Sequence, residues 1–327
     1  MKNLYLFLLS LMATLVLFMT FSSFYKVHSS TVIKLNQPIE LILKSTHGET
    51  MDFWQDVKLG VEEASKEFGV EVNMSGPRFE KDINEQITIF NQKIDLNPPL
   101  IILAASDFKR LSESVKRASD LDIPIITLDS GVDSELPKCF VGTDNFSAGV
   151  TAGNEILRLL NGETNPEIAI VAHLKETTSA IDRESGVRAV LNSDNIVGTW
   201  FCDVEEEKAY RITLELLKNE NLRGIVALNE VATLGVAKAL KEKLGSHNVK
   251  LVGFDNSVME LTYLEEGILS ATVVQRPYNM GYIAVKTAVD YIKGHDIETS
   301  IDTGSVLINK SNMFKREYQE LIFPFSN

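Results

Sequence analysis

Four polar residues stand where short apolar runs stop. Asp129 ends Ile-Pro-Ile-Ile-Thr-Leu-Asp, Asn229 ends Gly-Ile-Val-Ala-Leu-Asn, Asp255 ends Val-Gly-Phe-Asp, and Gln275 ends Ala-Thr-Val-Val-Gln. A fifth group, Arg183, lies in Asp-Arg-Glu-Ser-Gly. Carboxylates, amides and a guanidinium are the side chains that bind neighbouring hydroxyls two at a time. Aromatic faces pack against the C–H face of a ring, and Phe53, Trp54 and Phe201 could supply them. Taken singly, each residue has a plainer reading. An acid after a strand is commonly a helix cap or turn former, a lone arginine sits in a surface ion pair, and a lone phenylalanine is core. The recurrence of polar groups at strand ends favours a shared polyhydroxyl ligand over four separate caps.

Other chemistries find no support. The chain has no Gly-x-Ser-x-Gly, no Cys–His pair and no glycine-rich phosphate loop. Its five histidines (His28, His47, His173, His247, His295) are scattered, with no zinc-type spacing. Cys139 and Cys202 lie in apolar stretches and read as buried thiols. We therefore expect no enzyme, no metal and no cofactor. A net charge of −13 repels phosphate backbones and argues against a nucleic-acid partner.

At 327 residues, with 44% hydrophobic and 24% charged residues, the chain has the size of two ordinary globular domains. Residues 4–24 carry no charge and are long enough to cross a bilayer as a helix. A secretory signal has a shorter apolar core and a small-residue cleavage site. Residues 1–30 therefore read as an uncleaved anchor and tether, with a cleaved signal as the other reading. From residue 39 onwards strand and helix patterns alternate. The first series has strands at 39–44, 70–74, 100–104 and 123–129, with helices at 51–68, 79–94 and 108–121, the last capped by Asp107. The second has strands at 139–142, 167–173, 197–201, 224–228, 250–254, 270–274 and 306–308. Its helices fall at 145–160, 177–191, 206–218, 232–244 and 278–293. This alternation predicts an α/β fold with doubly wound parallel sheets, whose ligands bind beyond the carboxyl ends of the strands.

Residues 39–310 resemble the type I periplasmic sugar-binding proteins, the ribose, xylose and galactose binders. The resemblance is carried by Ile-Pro-Ile-Ile-Thr-Leu-Asp129, Gly142-Thr-Asp-Asn145 with Ala-Gly153, Asp182-Arg183-Glu-Ser-Gly, Ala-Leu-Asn229-Glu, Val-Gly-Phe-Asp255 and Ala-Thr-Val-Val-Gln275-Arg-Pro. It implies two α/β lobes joined by a three-strand hinge, with residues 31–143 plus 276–305 in one lobe and 144–275 plus 306–327 in the other. It also implies a sugar stacked on Phe53 and Trp54 and bonded by Asp129, Arg183, Asn229, Asp255 and Gln275. Two positions depart from many ribose binders: Ser130 stands where they carry an arginine, and Ala104 where they carry an asparagine. With its anchor, the chain is similar to the xylose-binding accessory proteins of LytS-type sensor kinases. That similarity implies an extracytoplasmic sensor of D-xylose or another pentose. Its partner would be a membrane histidine kinase, met by the closed form or a dimer of it. The substrate-binding subunit of an ABC sugar importer, facing a permease, is the alternative.

Overall fold

The computed structural model describes residues 35–46, 52–243 and 248–322. The expected anchor at 4–24 lies outside them. Among the described residues no helix is long and apolar enough to cross a membrane.

The elements run β1 (Ile39–Ile42), α1 (Asp52–Phe68), β2 (Val72–Ser75), α2 (Ile83–Asp95), β3 (Ile101–Leu103), α3 (Ser112–Asp120), β4 (Ile125–Leu128) and β5 (Cys139–Gly142). Then follow α4 (Asn145–Leu159), β6 (Glu167–Ala172), α5 (Thr178–Val190), β7 (Ile196–Phe201), α6 (Glu206–Leu216), β8 (Leu222–Ala227), α7 (Glu230–Glu242) and β9 (Lys250–Phe254). The chain closes with α8 (Val258–Glu266), β10 (Ala271–Val274), α9 (Pro277–Ile292), β11 (Ser300–Asp302), β12 (Val306–Asn309) and α10 (Arg316–Ile322).

These strands form two six-stranded sheets, ordered β11-β5-β4-β3-β1-β2 and β12-β10-β9-β8-β6-β7. All pairings are parallel except β12 on β10. Apolar runs without polar alternation suit strands covered on both faces. In β3, Ile102 packs with Val57 and Val61 on one face, while Ile101 and Leu103 meet Phe90, Ile94 and Val115 on the other. Helix α9 returns to the first sheet and crosses α1 at very short range. A Cβ on Gly60 would sit 2.0 Å from the Tyr278 carbonyl oxygen, and one on Gly281 2.1 Å from that of Val57.

The chain passes between the two sheets three times, at 143–144, 275–276 and 303–305. Two of these crossings are tied together. Asp302 Oδ1 accepts from the Asp144 and Gly304 amides at 2.9 and 2.8 Å, and the Thr303 amide donates to the Gly142 carbonyl at 2.8 Å.

The differences from the sequence reading have local causes. Helix α3 starts at Ser112, not 108, because Asp107 caps a separate turn through the amides of Lys109 and Arg110. Helix α8 was not expected, although its signals are present: a Ser257–Glu260 capping box and Gly267 with a φ of +78° just past its end. Strand β11 has one apolar residue, Ile301, and exists through its pairing with β5.

Candidate functional site

The carboxyl ends of both sheets face one gap between the lobes. Its walls are Lys44, Phe53, Trp54, Glu80, Asp129, His173, Ser179, Arg183, Asn229, Glu230, Asp255 and Gln275. The cavity they leave is about 40 Å³. Along the rim the lobes touch: the Phe108 amide donates to the Glu176 carbonyl at 2.6 Å, the Gly131 amide to Thr178 Oγ1 at 2.9 Å, and Lys81 pairs with Glu205 at 2.6 Å.

Two acids sit at strand ends in the left-handed region, Asp129 with φ +61° after β4 and Asp255 with φ +78° after β9. Among non-glycine residues, Asp and Asn reach this conformation most readily. The turn redirects each chain as it leaves its sheet, so the side chain stays at the strand mouth. Lys44, at the end of the first strand run, reaches Asp129 Oδ2 at 2.7 Å and donates to Ser130 Oγ at 2.7 Å. It is 2% exposed, so the Lys44–Asp129 pair is a buried one. Opposite, Asp255 Oδ1 accepts from Gln275 Nε2 at 2.8 Å and Oδ2 from the Glu230 amide at 3.1 Å. Burial pushes its carboxyl above the usual aspartate range, against the pull of Arg183 and the Gln275 bond. The other oxygen-bearing end of that bond, Gln275 Oε1, has no hydrogen-bond partner.

Arg183 is no surface group. It is 2% exposed, donating through Nε to Asn145 Oδ1 at 2.8 Å and through Nη1 to the Leu228 carbonyl at 2.7 Å. Its guanidinium lies 4.4 Å from the centre of the Phe254 ring. Glycines bring it there. Helices α4 and α5 meet so closely that a Cβ on Gly149 would fall 2.2 Å from the Arg183 carbonyl oxygen, and one on Gly186 2.1 Å from that of Phe146. Asn229 does act as a cap, accepting the Ala232 amide through Oδ1 at 3.0 Å, and it lines the gap as well. Cap and wall are thus one residue. Phe53 and Trp54 form an edge-to-face pair with ring centres 5.1 Å apart at the entrance of α1.

Seven of the eight expected residues, Phe53, Trp54, Asp129, Arg183, Asn229, Asp255 and Gln275, therefore line one gap. Phe201 does not. It ends β7, the outermost strand of its sheet, and packs against the core formed by Ile168, Ile170 and Val187. Five wall residues were missed: Lys44, Glu80, His173, Ser179 and Glu230. The rule that found Asp129 also covers Lys44 and His173, since both end an apolar strand run. Glu80, Ser179 and Glu230 lie in a loop or a first helical turn, where no periodic signal marks them. His173 is buried, and its imidazole is held well below its usual range by burial first and by Lys44 and Arg183 second. Among the described residues no cluster of His, Cys, Asp and Glu could hold a metal ion. A larger groove of about 730 Å³ lies at the outer edge of the second lobe, beside Val197, Trp200, Ile212 and Leu216, and shares no residue with this gap.

Known proteins of similar sequence and structure carry the same arrangement of lobes. The chain is 28% identical over 249 residues to the D-allose-binding periplasmic protein of Escherichia coli, covering 73% of this chain and 80% of that one. It is 26% identical over 287 residues to the D-ribose/D-allose-binding protein of Pseudomonas aeruginosa, covering 84% and 88%. A carbohydrate transporter solute-binding protein from Agrobacterium radiobacter, solved in complex with D-arabinose, superposes with a TM-score of 0.82 at 31% identity, covering 87% of this chain and 98% of that one. The sequence pattern of the periplasmic binding protein domain matches residues 43–296, and the chain belongs to that family.

Proposed function

We propose that this protein captures one neutral monosaccharide, a pentose or a hexose, outside the cytoplasm and presents the closed form to a membrane partner. One observation carries the reading. Hydroxyl-binding groups from both lobes, with an aromatic pair, surround one gap. The wall combines Asp129, Asp255, Asn229, Gln275 and Arg183, so each sugar hydroxyl can find a donor or an acceptor. A binding-protein family and a wall without an activated nucleophile make it a binder and not an enzyme. Sugar touching both lobes binds the closed state better than the open one and shifts the population toward closure. Micromolar affinity supplies about 8 kcal/mol, ample for an opening equilibrium of a few kcal/mol.

The relatives named for D-allose, for D-ribose and D-allose, and for carbohydrate transport support an ABC permease as the partner. The uncharged stretch at 4–24 favours a second reading, a membrane-tethered sensor that signals to a LytS-type histidine kinase, with D-xylose as its sugar. Calorimetry of the full-length chain with D-ribose, D-allose, D-arabinose, D-fucose and D-xylose tests the ligand class, and no heat with any of them would sink it. Membrane co-purification separates the partners: a permease supports import, a histidine kinase supports sensing. Peptide mapping of the mature N-terminus decides between anchor and cleaved signal.

A further inference from the structure

Glu80 stands on the first lobe's wall of the gap, in the loop between β2 and α2. It is 5% exposed, yet its Oε1 has no hydrogen-bond partner. A buried carboxyl oxygen left without a donor costs free energy, so a structure keeps one only where something else satisfies it. Its cationic neighbour is already engaged. Lys44 Nζ lies 3.6 Å from Glu80 Oε1, ion-pair range but beyond a hydrogen bond, while it holds Asp129 and Ser130 at 2.7 Å each. The loop itself is held in place. Ser45 Oγ donates to the Arg78 carbonyl at 2.7 Å, and the Thr46 amide to that of Pro77 at 2.9 Å. The next residue, Lys81, crosses to Glu205 on the other lobe, so the loop's position is coupled to closure.

We propose that Glu80 is a specificity-determining residue of the site, reading one hydroxyl of the bound sugar from the side of the gap opposite Arg183, Asn229 and Asp255. The inference rests on the monosaccharide reading above and adds a contact and a ligand preference to it. Burial raises the Glu80 carboxyl above the usual glutamate range, with Asp129 adding to the rise and Lys44 and Arg183 opposing it. The two Glu80 carboxyl oxygens can accept from the hydroxyl hydrogens of a sugar. With Glu80, Asp129, Asp255 and Glu230 around the gap against the cations Lys44 and Arg183, the acids outnumber the bases, so the gap disfavours sugar phosphates and uronic acids relative to neutral aldoses.

The test uses the full-length chain and its Glu80→Ala and Glu80→Gln variants, titrated calorimetrically with the tightest binder among D-ribose, D-allose, D-arabinose and D-xylose and with that sugar's monodeoxy analogues. Circular dichroism melts establish that each variant is folded. Glu80→Ala should weaken binding about ten- to a hundredfold, and Glu80→Gln, which keeps the shape and one acceptor oxygen, should bind more tightly than Glu80→Ala. One monodeoxy analogue should bind the unmodified chain more weakly than the parent sugar, yet bind Glu80→Ala as well as the parent does. Unchanged affinity in Glu80→Ala, an equal loss in Glu80→Gln, or the same loss for every analogue in both proteins would overturn the assignment. Failure of the unmodified chain to bind any of the four sugars would overturn the monosaccharide reading itself.

Discussion

Replacing Asp129 by alanine should destabilise the first lobe even in the absence of sugar. The Lys44–Asp129 pair is 2.7 Å long, with side chains 3% and 7% exposed. Removing one partner of such a pair leaves a buried charge uncompensated, which costs about 3–5 kcal/mol. Alanine in the left-handed conformation at φ +61° adds about 1 kcal/mol that aspartate avoids. Glu80 works in the other direction. With Asp129 gone, it loses a repelling carboxylate and becomes the acid nearest Lys44, so it recovers part of the loss. The net expectation is a cost of about 3 kcal/mol, near the lower end of the range for breaking a buried pair. For a cooperative unit of lobe size this lowers the melting midpoint by about 6–12 °C. The assay is thermal and urea unfolding, followed by circular dichroism, of Asp129→Ala, Asp129→Asn, Lys44→Met and the Lys44→Met/Asp129→Ala double variant. Asparagine tolerates the backbone angle and isolates the charge; the double variant removes the stranded cation and should recover most of the stability. A double variant no more stable than Asp129→Ala, with a coupling energy near zero, would refute the claim that these two residues form one buried unit.

Three further outcomes follow from the same structure. Gly149→Ala drives a methyl to within 2.2 Å of the Arg183 carbonyl oxygen, so it should cost about 1–3 kcal/mol in urea unfolding and weaken sugar binding by displacing Arg183; unaltered binding would mean that the α4–α5 contact does not position the guanidinium. Glu260 is fully buried, and burial, followed by the charges of Glu230 and Asp255, raises its carboxyl well above 4.5. A raised acid contributes stability that is fully present below its unfolded value and lost as pH rises through the folded one. Glu260→Gln, which keeps the acceptor for the Ser257 amide, should thus flatten the fall in melting temperature above pH 4.5; an unchanged pH profile counts against it. Of the two tryptophans, Trp54 lines the gap and Trp200 the distant groove, so Trp54→Phe should abolish a sugar-induced change in intrinsic fluorescence that Trp200→Phe preserves.

Much of the site was legible because its grammar is local. An apolar run that stops at a polar residue marks a strand mouth, and Asp129, Asn229, Asp255 and Gln275 obey that grammar, as do Lys44 and His173. Glu80 obeys no such pattern: its loop is read only once Ser45 and Thr46 are seen to hold it. Phe201, expected as an aromatic face for a sugar ring, packs into its own lobe's core, because strand order, not residue type, decides which ends border the gap. Arg183 was a candidate by residue type, with a surface ion pair as its plainer reading, and the glycines where its helix meets a neighbouring one are what draw it inward.

By itself the order of residues determined the alternation of strands and helices, their polar ends and the family they belong to, since periodicity and capping act between near neighbours along the chain. The three-dimensional fold alone decided that Lys44 meets Asp129 and, 86 positions along from itself, Ser130, and that Asp255 and Arg183 face them from a separately built sheet. Those meetings depend on sheet order and on how the three crossings set the two lobes against each other. Neither property is encoded in any short window, because pairing across a sheet and closure across a hinge are set by the whole chain's packing.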